Sequence, residues 1–387
     1  MNLSRRHFLS LGACGGLAAT GLLNLPGCGP DNSKPIGPAP TTDISDDDLR
    51  RKLDDAIDYT YLNRHLDVDT QAAWQIMHGV LAYGRDFKVK DKNGEFVSAV
   101  DYALNGKPMR GFVLNLGEVL DPATGQQGIR STLDLGSKAG QGHVDQWLGY
   151  TSGVGLTLDT PVMVDGKKLN LGDWIEQAKR DVSENPYKEY SWTVMSFCMV
   201  MPSDAKWKAA DGQEWSIERL VKWESEQDIY RSACGGTHRL VAICMAYNRH
   251  VAAGGKIEGG WKVAHDIIEK SVKEARQFQN ADGSFSSNYL SGPGSKPDLA
   301  DTLGTSGHVL EFVVQASSDE QLRQPWVKKA VVNLCDLFRK TKGIQLECGA
   351  LYHAAHGLVL YRERVFGKHE LPAWTGGAKP ATNTAAG

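Results

Sequence analysis

Cysteine is scarce in this 387-residue chain: seven in all, two of them, Cys14 and Cys28, within the first 28 positions. The other five, Cys198, Cys234, Cys244, Cys335 and Cys348, are odd in number and scattered, and no two form a CxxC pair. That excludes a disulfide framework and any zinc ribbon built on paired CxxC motifs. Charge of one sign is lacking too, with 43 Lys and Arg against 46 Asp and Glu, and no basic cluster stands out. A nucleic-acid partner is therefore not expected. The apolar run over 8–25 is short for a membrane span and diluted by glycine and alanine. It reads instead as part of a targeting segment.

Ser4-Arg5-Arg6-His7-Phe8-Leu9 supplies a basic start before that run. The paired arginines resemble a twin-arginine signal, which implies export of a chain already folded in the cytoplasm, with its thiols left reduced. Leu25-Pro26-Gly27-Cys28 resembles a lipobox, and so implies a lipid anchor to the membrane at Cys28 and residence in the periplasm or cell envelope. Residues 1–28 are thus the signal and 29–45, rich in Pro, Ser and Thr, a tether. The folded part is expected over 46–366. Residues 367–387 repeat the tether's composition and read as a disordered tail.

Two repeats organise the folded part. In the first, Asn93-Gly94, Asp165-Gly166 and Asp211-Gly212 set tight hairpin turns, and Ser98, Asn170 and Ser216 follow four residues after each glycine as helix N-caps. In the second, helices apolar nearly all round alternate with charged amphipathic ones. The apolar set is 72–83, 143–151, 191–201, 234–247, 305–316 and 348–361. The amphipathic set is 47–66, 98–104, 171–182, 217–229, 261–279 and 326–340. Six buried helices alternating with six half-exposed ones predict an all-α protein, an (α/α)6 toroid with short β-hairpins on its loops. Residues 105–142 form a Gly-rich excursion expected to be a lid or rim loop.

Gln279-Asn280-Ala281-Asp282-Gly283-Ser284-Phe285 resembles the repeat motif of the terpenoid cyclase and protein prenyltransferase superfamily of α/α toroids. It lies after an outer helix and before an inner one, as in that superfamily, and the resemblance covers one repeat. The cyclases' acidic run has no counterpart at an inner-helix start, because Asp46-Asp47-Asp48 opens the first outer helix. The segments GQGHVDQWL, ACGGTHRL, LGTSGHVLEF and ECGALYHAAHGLVLY are together similar to a family of exported bacterial proteins sometimes described as ADP-ribosylation-factor-directed GTPase-activating proteins. The zinc finger of that activating class needs two CxxC pairs, and this chain has none.

If the inner helices run parallel, His78, His143, His238, His308, His353 and His356 gather near their starts around one cavity, where helix dipoles favour an anionic ligand. His238, His308, His353 and His143 are candidate acid/base groups, with Tyr352 a proton donor and Glu311 and Asp145 accompanying carboxylates. Trp74, Trp147 and Trp192 offer faces to sugar rings. Zinc-binding toroids use Asp, Cys and His or Cys, Cys and His, and that likeness implies a zinc set of Cys234, His238 and Cys348. Three functions stand open: a lyase, hydrolase or binding protein for a carbohydrate or other anionic ligand; a zinc-assisted transferase or cyclase; and a non-catalytic toroid that binds a partner.

Overall fold

The computed structural model describes residues 44–374. The signal, the lipobox cysteine Cys28, nearly all of the tether and the end of the tail lie outside the described residues. Thirteen helices and nine short strands make up the described chain. No described helix is long and apolar enough to cross a membrane.

The chain opens with α1 (Asp46–Asn63), whose N-cap Ser45 accepts from the Asp48 amide while three aspartates occupy the first turn, where the helix dipole favours them. β1 (Leu66–Asp67) leads into α2 (Ala73–Tyr83), then the hairpin β2 (Lys88–Lys90) and β3 (Phe96–Ser98) launches α3 (Ala99–Leu104). A longer hairpin, β4 (Leu114–Asp121) and β5 (Gln126–Ser131), precedes α4 (Gln146–Gly153). The hairpin β6 (Pro161–Val164) and β7 (Lys167–Asn170) feeds α5 (Leu171–Asp181), followed by α6 (Ser191–Val200). The hairpin β8 (Lys206–Lys208) and β9 (Glu214–Ser216) feeds α7 (Ile217–Ser225), then come α8 (Thr237–Ala252) and α9 (Gly259–Gln277). The chain ends with α10 (Leu299–Ala316), the single turn α11 (Asp319–Leu322), α12 (Pro325–Lys340) and α13 (Cys348–Phe366).

Three hairpins fall where the Gly94, Gly166 and Gly212 turns predicted them, and Ser98, Asn170 and Ser216 accept from the amides of Asp101, Asp173 and Arg219. The excursion differs from expectation. It contains β4 and β5, bulged at two points, which Arg130 ties to Asp181 of α5 at 2.7 Å. Its ends return to the start of α2, where the carbonyls of Arg110 and Ala139 accept from the amides of Ala73 and Trp74. It is therefore a hairpin tied to α5 and to the start of α2 rather than a free lid.

Two of the apolar helices are buried on all sides over long stretches: every residue of α6 from Ser191 to Cys198 is buried, as is α10 from Thr305 to Val314. Within the apolar set α4 packs on α6, α6 on α8, α8 on α10, α10 on α13, α13 on α2, and α2 on α4. The amphipathic helices lie against these, α7 on α6 and α8, α9 on α8 and α10, and α12 on α10 and α13. The closest approach is between α10 and α13. A Cβ on Gly307 would stand 2.5 Å from the Cα of Ala354, so the two backbones touch through a glycine.

The tail begins ordered. His369 bonds Asp58 at 2.7 Å, and Trp374 packs edge-on to Tyr61 and His65 with ring centroids 5.2 and 4.8 Å away. Residues 367–374 thus belong to the folded body.

Candidate functional site

The segment before α8 sets the geometry of the site. Cys234, Gly235 and Gly236 all take left-handed backbone angles, with φ of 50°, 62° and 76°. The glycines are required: a Cβ at 235 would enter the Tyr289 ring, and one at 236 would enter the Ile229 carbonyl. Cys234 adopts the same conformation at a cost of order 1 kcal/mol that only the surroundings repay. The turn brings its sulfur to His238 and His308, the ligand atoms of all three lying within 4.8 Å of one another.

His308 stands where Cys348 was expected. α10 begins at Leu299, capped by Asp298, six residues earlier than its apolar pattern suggests, so His308 lies in the helix interior, level with the start of α8. Cys348 lies at the first residue of α13, near Arg64 and Glu347, and is not part of the group.

Around this group the imidazoles form a contiguous layer. His308 stacks on His353 at 3.8 Å between centroids, and His238 lies 5.3 Å from His353, 5.5 Å from His308 and 5.3 Å from His143. His78 adds a contact to His353 at 5.2 Å. Burial, reinforced by neighbouring rings, pushes His238 and His353 well below the usual histidine range. Burial also takes His78 down to about 4. His308 is the exception: burial opposes its charge, but the neighbouring Cys234 sulfur overrides it and lifts the ring to about 9. The sulfur acts mainly through its charge, and Glu311 and the bond to the Gly304 carbonyl add to the lift.

Glu311, 4 % exposed, accepts from Nδ1 of His353 and from Nδ1 of His356, both at 2.7 Å. One carboxylate therefore fixes two rings, each with Nδ1–H toward the glutamate and Nε2 free for other work. His143 has a carboxylate as well, though not the one expected. Its Nδ1 lies 2.9 Å from Glu189; burial raises that carboxyl, but the bond and charge of His143 together with the charge of Arg239 bring it below the usual glutamate range. Asp145 faces away and accepts from Thr193 at 2.6 Å, and burial lifts it to about 6. Glu189 lies outside the apolar helices, in the loop before α6, and no helical spacing from His143 pointed to it.

Tyr352 is not placed as a proton donor. Its hydroxyl donates to the Arg64 carbonyl at 2.9 Å, and its ring packs edge-on to Phe87. On α13 it is the i, i+3 pair His353 and His356 that faces Glu311.

A cavity of about 660 Å³ lies over this layer. His238, His353, His356, Glu311 and Trp192 line it at one level, while Asn248, Arg249, Gln315 and Glu363 line it near the last turns of α8, α10 and α13. It therefore extends along the helices toward their C-terminal ends, where the dipole favours cations rather than anions. Its walls include Met195, Met199 and Met245, which sequence reading did not single out although Met195 and Met199 share a face of α6. Of the three expected tryptophan platforms, Trp192 lines the cavity; Trp147 is stacked on Phe112 in the core and Trp74 lies against His78 under Lys138. No protein-family model, no curated protein and no solved structure matches the chain.

Proposed function

We propose that the chain is an (α/α)6 toroid whose central cavity carries out proton transfer on a small ring-bearing ligand or the end of a polymer, as a lyase or hydrolase of the cell envelope. In favour of the toroid, each apolar helix packs on the next until α2 meets α4, a cycle that closes, and amphipathic helices lie against it. The observation that carries the chemistry is Glu311 holding His353 and His356 together at the base of the cavity. A carboxylate that takes the Nδ1 protons leaves Nε2 of each ring as a base, and a ring that has accepted a proton is the acid for the next step. His353, kept neutral by burial, suits the first role.

The cavity's size matches one ligand of a few rings rather than a long chain threaded through it. Trp192, with Tyr150 edge-on to it at 4.5 Å between centroids, and the methionine side chains give the cavity an apolar wall of the kind that packs against the apolar face of a sugar ring. Carbohydrate units are therefore the first class to test.

The experiment is a screen of oligosaccharides by calorimetry, followed by turnover assays for new reducing ends and for unsaturated elimination products. With a substrate in hand, His356→Ala is expected to lower kcat by about 10²–10⁴-fold, the usual worth of a general acid or base. Glu311→Gln is expected to lower kcat and flatten the pH profile while leaving binding in place. Turnover unaffected by both variants in well-folded protein would overturn the proposal.

A further inference from the structure

We propose that Cys234, His238 and His308 form a binding site for a thiophilic divalent cation of the zinc class, beneath the base of the cavity. Three observations lead there. The sulfur and the two imidazoles converge to within 4.8 Å, at most about 1 Å beyond the roughly 3.3–3.8 Å separations that bonds of about 2.0–2.3 Å set around a tetrahedral zinc ion. His238 is 7 % exposed, and neither of its ring nitrogens has a hydrogen-bond partner; His308 is 6 % exposed, and its Nε2 has none. Three buried, unpaired imidazole nitrogens in one place are costly unless a ligand satisfies them. Finally, Nδ1 of His308 is bonded to the Gly304 carbonyl at 2.7 Å. That bond fixes a proton on Nδ1 and leaves Nε2 as the ring atom that would bind a metal at the common centre once its own proton is displaced, as the outer partner of a metal-bound histidine does.

One thiolate and two imidazoles are a borderline-soft set, which selects zinc over magnesium or calcium. Binding needs Cys234 as the thiolate and Nε2 of His308 bare, so the one proton that the pair holds between them leaves for each ion bound. Three protein ligands leave a fourth position for water or a ligand group, the pattern of catalytic rather than structural zinc. His238 lies both in this set and in the cavity lining, so the ion would be one side chain away from whatever the cavity holds. The inference stands apart from the acid/base reading, because Glu311, His353 and His356 are not among its ligands.

The test uses the whole chain, stripped with chelator and titrated with Co²⁺ and, separately, Zn²⁺. One Co²⁺ per chain is expected, with a thiolate-to-cobalt charge-transfer band and the visible spectrum of a tetrahedral ion. Cys234→Ser is expected to abolish that band, and His308→Ala to weaken Co²⁺ binding at least about tenfold, the lower end of what loss of an outer partner alone costs. Cys348→Ser leaves both unchanged. A readout that needs no variant is alkylation of the two half-buried thiols, Cys234 and Cys348. Zn²⁺ is expected to slow modification of Cys234 at least about tenfold and leave Cys348 alone. Wild-type protein that takes up neither ion, a charge-transfer band that survives Cys234→Ser, or alkylation of Cys234 indifferent to Zn²⁺ would each overturn the site.

Discussion

Gly307 is the position at which the architecture of the site is most open to a single-residue test. A methyl group there would lie 2.5 Å from Cα and 2.6 Å from the backbone nitrogen of Ala354 on α13. Ordinary carbon contacts begin near 3.5 Å, so the helices must part by about 1 Å, and no side-chain rotation relieves a clash with main chain. Overpacking of this kind costs about 1–3 kcal/mol or more. Against it stands the helix propensity of alanine, which stabilises by about 1 kcal/mol over glycine. Because the clash is with main chain the cost falls in the upper half of that range, about 2–3 kcal/mol, and Gly307→Ala is expected to lose about 1–2 kcal/mol net.

Neighbouring glycines supply internal controls. At Gly304 the added methyl meets the Ala350 side chain at 3.2 Å, and at Gly357 it meets the Gly307 carbonyl at 3.3 Å, contacts that a shift of a few tenths of an ångström absorbs. Those two variants are expected to fall within about 0.5 kcal/mol of wild type, propensity offsetting strain. Urea unfolding followed by tryptophan fluorescence gives the three differences directly. The same 1 Å separation would stretch the 2.7 Å bonds from Glu311 to His353 and His356, because the glutamate is on α10 and both histidines are on α13. Their imidazole ¹⁵N shifts should move in Gly307→Ala and hold in Gly304→Ala. If Gly307→Ala is as stable as Gly304→Ala, the two helices do not meet backbone to backbone and the geometry of the histidine layer is wrong.

Two further perturbations test the surroundings. Asp145 rises from 3.8 to about 6 on folding, so the folded state holds an extra proton between those values and stability falls as pH climbs through them, by up to about 3 kcal/mol. Asp145→Asn is expected to match wild type near pH 4 and exceed it near pH 7.5, in urea titrations at both; a gap that does not grow with pH would refute the shift. Glu224 is fully buried, accepts from the Tyr190 amide and the Ser191 hydroxyl at the start of α6, and forms an ion pair with Arg239 of α8 at 2.7 Å. Glu224→Ala leaves Arg239 without its partner and is expected to cost about 3–5 kcal/mol by the same assay; a loss below about 1 kcal/mol would show the pair to be idle.

What the chain's sequence determined by itself is local. Hairpin turns at Gly94, Gly166 and Gly212, the caps that follow them and the contrast between apolar and amphipathic helices all depend on residues within a turn or two of one another, and period and cap chemistry report them directly. The bulged hairpin of β4 and β5 was illegible because its strands are held by Asp181 and the start of α2 rather than by an alternating pattern of their own. Only the tertiary structure decided which side chains meet. Sequence placed six histidines near helix starts, but the level at which each helix enters the bundle is set by packing between helices. That level put His308 beside Cys234 and left Cys348 against Arg64. Hydrogen bonds between separate elements gave His143 to Glu189 and both His353 and His356 to Glu311, pairings no spacing along the chain encodes. The side of the histidine layer on which the cavity lies follows from the same cause, since empty space is what the packing of all the helices leaves over.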